Sequence, residues 1–499
     1  MIYVKLNNNK KPVYTRFRMP PTYPIMTTKQ KPLRILIAPN VACPYDQRMV
    51  KELAGGFNRI GHYAAALSAP QSANELVKMC KSFSIDVVLQ INRTRDPDIP
   101  LPPNVRHIAW FQDVFPETLD GFTEGFNDSD ILYALGDPNV LGLNDYPHCY
   151  VSSLFTGVDQ TTLDFKCPSN VQNLDFSLCG GLPHPVKLGH SIKADILWYF
   201  DQMIKKAPLM GKSKIMWLIR KLLFGQLLPV NYVPYSALLA MESIVNSFYR
   251  PLRGELDIHE LANAMLNQVT LHADVFKEIP INSSPQHSNK LSMLVKPHTK
   301  HFLGRNDLKA QLVRYLAGES SFFQPNLTSA ITRAISYFSQ SYPRIMDRKA
   351  LVEAAAKVSE SLELYGPGLS EHEFARPYFK GVIDTQDELL NIYCRAKINL
   401  SNNTHGLGLH SRTFECMAVG GFIFMHESPH DHKAGGMLTS FEPGVHYGSY
   451  TPENFTEEAA RWLKDDNGRR QAGVRAKSVI HERHCWHHRA QQIIDDLNR

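Results

Sequence analysis

The sequence predicts an α/β protein made of two parallel-sheet domains, with a large α-helical insertion in the second domain. In roughly the first third of the chain, short apolar runs alternate with segments of helical periodicity, which is the pattern of a Rossmann-like sheet. The same alternation begins again at residues 175–179 and resumes near residue 349. A chain of 499 residues is also too long for one hydrophobic core, so two or three domains are expected.

The first domain has six apolar runs of strand length. A parallel strand that is buried on both faces is a nearly continuous apolar run, as in Leu-Arg-Ile-Leu-Ile-Ala at residues 33–38. The predicted strands are residues 33–38, 63–67, 86–91, 106–111, 130–135 and 149–153, and the predicted helices are residues 47–59 and 73–83.

The second domain begins at the strand 175–179, which runs directly into Gly180 and Gly181. Glycines at the end of a strand let backbone N–H groups approach an anion. The domain continues with a helix to residue 361, a strand at 362–365 and a buried strand at 422–425.

These patterns divide the chain into segments with different roles. We expect a flexible tail at residues 1–32, a first Rossmann-like domain at 33–170, a second one at 171–184 and 346–480, a helical insertion at 185–345, and a C-terminal helix at 481–499 that crosses back to the first domain.

The insertion shows helical periodicity, for example at residues 237–248 and 256–266. Residues 212–228 form a basic amphipathic segment, which either packs in the insertion core or lies on an anionic membrane surface. Charged residues interrupt its apolar run, so we do not expect it to span a membrane.

The overall composition is that of a soluble globular protein, with 43% apolar and 20% charged residues. The net charge of +6 allows an anionic partner without requiring one. The eight cysteines show no metal-ribbon spacing, and the N-terminus lacks the apolar stretch of a signal peptide. We therefore expect reduced cysteines and a cytoplasmic location, with peripheral membrane contact as an option.

Residues 405–421, His-Gly-Leu-Gly-Leu-His-Ser-Arg-Thr-Phe-Glu-Cys-Met-Ala-Val-Gly-Gly, are the most informative stretch of the chain. Gly406 and Gly408 allow close approach to an anion, and the helix that opens after them adds its dipole. Arg412 is placed to pair with a phosphate, and Glu415, on the same helix face, to accept hydrogen bonds from a ribose diol. This arrangement is typical of a nucleotide site. Simpler alternatives are a surface ion pair for Arg412 and a helix-dipole carboxylate for Glu415.

The string Ser-Arg-Thr-Phe-Glu-Cys-Met-Ala-Val-Gly-Gly resembles the donor-binding signature of GT-B glycosyltransferases, particularly the family of the spore-maturation protein CgeB. Further similar blocks occur in the same order, and the resemblance is clearest over residues 345–497. The blocks are residues 364–368, 378–383, 392–400, 441–447 and 484–489.

The resemblance implies a GT-B glycosyltransferase that takes its sugar from a nucleotide-sugar, with a UDP-sugar as the expected donor, and that needs no metal or other cofactor. It also implies that the first domain, residues 33–170, binds the acceptor and that the second, residues 171–184 and 346–480, binds the donor. It implies a donor site at Gly180, Gly181, Gly381, Val382, His405, Gly406, Gly408, Arg412 and Glu415. One departure is Leu407, which stands where retaining relatives often carry a second glutamate. His405 or His410 could replace that glutamate as a polar contact, and a turn role for His405 is the alternative.

Asp113 is the candidate base that would deprotonate the acceptor hydroxyl. It follows a buried strand, and the carboxyl ends of parallel strands face the ligand cleft. The surrounding residues 107–116 resemble the region of a phage DNA glucosyltransferase that carries its catalytic aspartate. A turn or cap role before Pro116 is the alternative. The loop after the first strand supplies the acceptor-side candidates Asn40, Tyr45, Asp46 and Arg48.

Other functions are compatible with the same pattern. The acceptor could be a glycan, a protein, a lipid-linked glycan or a modified DNA base, and the alternatives to transfer are a nucleotide-sugar epimerase and a nucleotide-binding protein without activity. Two groups of histidines also suggest a zinc site, although we expect none. These groups are His426, His430 and His432, and His481, His484, His487 and His488.

Overall fold

The computed structural model describes residues 31–112, 126–139, 149–168, 172–183, 235–271 and 334–499. Several sequence-based predictions lie outside these ranges: most of the N-terminal tail, the candidate base Asp113, the amphipathic segment 212–228 and much of the insertion.

The first sheet contains six parallel strands in the order β2-β1-β3-β4-β5-β6. Each run that was predicted as a strand in the first half of the chain is a strand. Their bounds are β1 Arg34–Ala38, β2 Tyr63–Ala66, β3 Val87–Ile91, β4 Arg106–Phe111, β5 Ile131–Ala134 and β6 Tyr150–Ser153. The sheet is flanked by helices α1 Pro44–Arg59 and α2 Ala73–Phe83, and a short helix α3 Gln160–Leu163 follows β6.

Local sequence fixes where these helices begin. Ser72 and Glu75 form a capping box at the start of α2. In α1, Pro44 occupies the first turn and the Sγ of Cys43 accepts a hydrogen bond from the Asp46 amide. Helix α1 therefore begins before the predicted start at residue 47, because a proline is well accommodated in the first turn, where no N–H is required.

Two helices of the insertion fall within the described residues. They are α4 Tyr235–Phe248 and α5 Ile258–Leu271, so the helix predicted at 256–266 is longer than expected. Their apolar faces form a core with Ile335 and Phe338, which precede helix α6 Tyr342–Val358. The insertion thus packs continuously onto the first helix of the second domain.

The second sheet also has six parallel strands, in the order β12-β11-β10-β7-β8-β9. Its strands are β7 Leu174–Cys179, β8 Leu362–Tyr365, β9 Phe379–Gly381, β10 Ala396–Ser401, β11 Ile423–His426 and β12 Gly448–Tyr450. Its remaining helices are α7 Gln386–Arg395, α8 Ser411–Ala418, α9 Phe455–Lys464 and α10 Asp466–Arg483. The prediction of two parallel α/β sheets is confirmed.

The last helix, α11 Trp486–Leu497, leaves the second sheet and packs on the first. Ile493 and Ile494 lie in the same core as Phe57 of α1, and the Trp486 indole donates a hydrogen bond to Glu52 over 2.7 Å. Burial of this apolar face outweighs the cost of ordering the connection, so the C-terminus ties the two sheets together.

The cysteines differ from the expectation. Cys167, before β7, is disulfide-bonded to Cys394 at the end of α7, with 5.6 Å between their Cα atoms. The other six cysteines are free. The prediction that all eight are reduced is therefore wrong for this pair, because 227 residues separate the two cysteines in sequence and only the fold brings them together.

Candidate functional site

A cavity of about 200 Å³ lies between the two sheets. Its walls come from segments that follow the carboxyl ends of strands: Gln112 after β4, Gly136 after β5, Gly181 after β7 and the loop after β10. Parallel sheets place their ligands at this edge, because the connecting loops diverge there and leave a crevice.

Three arginines line this cavity: Arg344 and Arg348 from α6, and Arg412 from α8. Arg348 is only 8% exposed, and burial together with the nearby Arg412 charge lowers its pKa to about 9. None of the described lining residues is acidic. Because three positive charges lie around one cavity, their mutual repulsion favours an anion there.

Gly180 allows Arg412 to occupy this position. A Cβ on Gly180 would collide with the Arg412 guanidinium, whose Nη1 donates to the Cys179 carbonyl over 3.2 Å. The glycine turn after β7 thus holds the arginine in place. We expected this turn to contact an anion with its backbone; the structure adds that it makes room for a cation.

Polar side chains other than arginine line another part of the cavity. They belong to the loop after β10, which Asn403 organises by accepting from the His405 amide and donating to the Leu407 carbonyl. These side chains offer hydrogen-bond donors and acceptors of the kind that bind sugar hydroxyls. They are Ser401, Asn402, Asn403, Thr404 and His405.

His410 lines the cavity at the start of α8 and is linked to the first domain. Tyr45 of α1 donates to Ser411 Oγ over 2.9 Å, and Ser411 Oγ lies 3.1 Å from Nδ1 of His410. Ser411 can therefore give its own proton to Nδ1, which leaves the imidazole proton on Nε2. Burial and the neighbouring Arg412 lower the pKa of His410 to about 3, so the ring is neutral.

A second contact joins the same two helices. Arg48 of α1 donates to Glu415 of α8 over 2.7 Å, and the Glu415 carboxylate is largely buried. Burial raises the pKa of the adjacent Glu52 to about 7. Glu415 is thus engaged by the first domain and is not among the residues that line the cavity.

The predicted donor residues fall into two groups. Those brought together around the cavity are Gly181, His405, Gly408 and Arg412, with Gly180 and Gly406 directly beside them. Gly381 and Val382 lie at the end of the edge strand β9 and are not among the lining residues.

The predicted acceptor-side residues also lie outside the cavity lining. Tyr45 and Arg48 contact α8 instead. Asp46 accepts a hydrogen bond from the Val41 amide, and the Asn40 carbonyl accepts one from Arg93. Both shape the loop after β1.

Sequence reasoning missed Arg344 and Arg348. Their four-residue spacing just after Pro343 indicates one face of a helix that starts there. We predicted that this helix begins at residue 349, so Arg344 was assigned to the insertion and Arg348 to the segment just before the helix. The asparagines of the loop after β10 were also missed, since polar loop residues are too common to stand out.

Histidines of the C-terminal group take part in local packing and capping. Cys485, His487 and His488 hold their potential ligand atoms within 4.8 Å of one another, but His488 Nδ1 accepts from the Cys485 amide at the start of α11. His484 stacks on Phe414, with ring centroids 4.6 Å apart.

Of the described helices, none combines the length and apolar character needed to cross a bilayer.

A comparison with protein families gives a match to the second domain. Residues 346–495 match the family model described as glycosyl transferase-like. A comparison with curated proteins gave no match. The prediction of a glycosyltransferase is confirmed by the family match, which contains Arg348, Arg412 and Glu415.

Solved structures of similar topology include several glycosyltransferases. HepE of Anabaena, solved with UDP and glucose, has 8% identity and a TM-score of 0.44, covering 93% of this chain and 99% of its own. A glycosyltransferase of Rickettsia africae has 9% identity and a TM-score of 0.39, with coverages of 94% and 98%. An alpha-glucosyltransferase in complex with UDP and DNA has 9% identity and a TM-score of 0.42, with coverages of 95% and 100%.

Proposed function

We propose that this protein transfers a sugar from a UDP-sugar donor to an acceptor hydroxyl and holds the donor diphosphate with Arg348 and Arg412. The observation that carries the proposal is the pair of guanidinium groups that face one cavity lined by no described acidic residue. A diphosphate supplies the missing negative charge, and its oxygens match the planar fork of an arginine.

This arrangement suits the chemistry of glycosyl transfer. The bond between the anomeric carbon and the diphosphate oxygen breaks, and a bond to the acceptor oxygen forms. Negative charge grows on the departing diphosphate, so fixed cations in a water-poor site stabilise the transition state more than the bound donor. Arg344 adds a third positive charge to the same cavity.

The acceptor must lose a proton, and Asp113 is our proposed base for an inverting reaction. Its support is positional: the preceding residue, Gln112, lines the cavity after β4. His410, with its proton on Nε2, is proposed as a neutral donor to the diphosphate or the sugar. The roles of Glu415 with the ribose, and of Gly381 and Val382 with the base, rest on the resemblance. To bind Glu415, the ribose must share the carboxylate with Arg48 or displace the Arg48 guanidinium from it.

Calorimetric titration with UDP tests the diphosphate site. We expect Arg348→Ala and Arg412→Ala each to weaken UDP binding at least about tenfold, since each removes a charge-assisted contact. The matched control is Arg475→Ala, an exposed arginine on α10 that contacts Gln471. Absence of UDP binding in the wild type, or equal binding in all variants, would overturn the proposal.

A UDP-release assay then separates the proposed function from its alternatives. Release that requires an added acceptor supports transfer, and glycans, proteins and DNA with a hydroxylated base are the acceptors to compare. Interconversion of UDP-sugars without an acceptor would identify an epimerase, and UDP binding without turnover a silent binding protein. Asp113→Asn is expected to abolish transfer while UDP still binds.

Three narrower assignments are proposed on the sequence alone: membership of the CgeB-like subfamily, a cytoplasmic location, and contact with anionic membranes through residues 212–228. The last is supported by the basic amphipathic composition of that segment. Flotation with vesicles that contain phosphatidylserine tests it, and neutral vesicles are the control. Equal recovery with both would refute an electrostatic contact.

A further inference from the structure

The connection between α4 and α5, residues 249–257, packs directly behind the cavity loop that follows β10. The backbones of Gly254 and Gly406 approach so closely that a Cβ on Gly254 would lie 2.9 Å from the Gly406 Cα. Ser428 Oγ donates to the Gly254 carbonyl over 2.6 Å, and the Leu256 amide donates to the Thr404 carbonyl over 3.4 Å. The insertion therefore forms the back wall of this loop.

Asp347 fastens the same two segments from the side of α6. It is 1% exposed, and its Oδ1 accepts from the Tyr249 hydroxyl over 2.7 Å and from the Leu252 amide over 2.8 Å. Its Oδ2 accepts from Asn402 Nδ2 over 3.4 Å. One buried carboxylate thus connects the insertion to a side chain that lines the cavity.

We infer that residues 249–257 set the conformation of the loop 402–408 and thereby determine which UDP-sugar the protein prefers as donor. Asp347 acts as a positioning residue. This inference rests on the proposed function, since it concerns the sugar half of the same donor. A loop held on its rear side presents Asn402, Thr404 and His405 in one arrangement. Discrimination between sugars that differ in one hydroxyl depends on such fixed hydrogen-bonding groups.

Of the two arginines proposed to hold the diphosphate, Arg412 is held by a different part of the structure. Arg412 is anchored by the Cys179 carbonyl at the end of β7, and that contact involves no residue of the insertion. A disturbance of residues 249–257 should therefore alter the binding of the sugar while leaving the binding of UDP intact. This separation distinguishes a specificity element from a general structural support.

Gly254→Ala is the sharpest variant, because its methyl group would press on Gly406 and on His426, 2.8 Å away. Gly444→Ala is the matched control: Gly444 has a similar left-handed backbone, with φ of 77° against 55°, but a Cβ there meets nothing within 4 Å. Tyr249→Phe removes only the hydroxyl that binds Asp347, and it provides a second test if Gly254→Ala does not fold.

The experiment compares the dissociation constants of UDP, UDP-glucose, UDP-galactose and UDP-N-acetylglucosamine for each variant. In Gly254→Ala we expect the preference for one UDP-sugar over the others to fall about tenfold, with the UDP constant within about twofold of wild type. Tyr249→Phe should lower the preference about threefold, as expected for one lost hydrogen bond. Gly444→Ala should keep it.

Two outcomes would overturn the inference. One is an unchanged sugar preference in both Gly254→Ala and Tyr249→Phe. The other is a loss of UDP affinity that equals the loss of UDP-sugar affinity, which would indicate a general support role. A wild type that binds no UDP would instead refute the proposed function.

Discussion

Arg48 and Glu415 form a 2.7 Å ion pair that joins the first helix of one sheet domain to helix α8 of the other. Tyr45 and Ser411, one turn earlier on the same two helices, form a parallel hydrogen bond. Both contacts close the interdomain cleft beside the cavity. Tyr45 and Arg48, which were predicted to touch the acceptor, therefore contact helix α8 in this structure.

We predict that Arg48 and Glu415 are energetically coupled. Their side chains are 26% and 7% exposed, so removing either partner leaves a charge in a poorly solvated place. In a double-mutant cycle with Arg48→Ala and Glu415→Gln, urea unfolding should show a coupling of about 1–3 kcal/mol. An additive pair of single effects would show that the contact contributes nothing to closure.

A pair of adjacent glycines in α1 should respond in opposite directions to alanine. A Cβ on Gly56 would lie 2.5 Å from the Trp486 carbonyl oxygen, whereas a Cβ on Gly55 meets nothing within 4 Å. Gly55→Ala should stabilise the protein by up to about 1 kcal/mol through helix propensity. Gly56→Ala should lower the melting temperature by separating α1 from α11. Equal shifts in the two variants would contradict the packing of the C-terminal helix on α1.

Counting thiols tests the disulfide directly. With Cys167 and Cys394 bonded, unfolded protein that has not been reduced should react with a thiol reagent at six of its eight cysteines. Prior reduction should raise the count to eight. Cys394→Ser should lower the melting temperature of the oxidised protein, because the bridge closes a long loop of the unfolded chain. Eight reactive thiols without reduction would show that the pair is not bonded.

Histidines with strongly lowered pKa values should make the protein sensitive to acid. Burial lowers the pKa of His107 and His426 to about 4, and of His410 and His484 to about 3. As the pH falls below 6.5, these histidines bind protons in the unfolded chain but not in the folded state. Stability is therefore lost as the pH decreases. Each histidine contributes about 1.4 kcal/mol per pH unit in this window.

The melting temperature between about pH 7 and pH 5 measures this effect. His107→Gln should make this decline less steep, because about one proton fewer is taken up on unfolding. His107 lies in the core of the first domain and does not line the cavity. A melting temperature that does not change over this range would refute the assignment of neutral buried histidines.

Much of the fold follows from local sequence. The strands of the first sheet, the glycine turn after β7 and the start of α8 near Ser411 were predictable, because apolar periodicity and glycine placement act over a few residues. The motif at residues 411–421 was also recognisable, since it lies within one short helix and its C-terminal end.

Contacts between distant segments were not predictable in this way. Arg348 looks like an ordinary helix residue in the sequence. Only the packing of α6 near the end of β7 places its guanidinium 3.3 Å from the position that a Cβ on Gly180 would occupy. Val382 matches a motif for binding a base, yet it is 55% exposed at a sheet edge. The pairing of Cys167 with Cys394 likewise depends on the fold.

The sequence by itself determined the class of this protein: two Rossmann-like sheets and a glycosyltransferase-like motif that includes Arg412. The tertiary structure decided which residues share the cavity, why Glu415 faces Arg48, and how the insertion reaches the donor loop. The physical reason is range. Helix and strand formation depend on neighbours along the chain, whereas charge pairing and burial depend on which segments the packed core brings together.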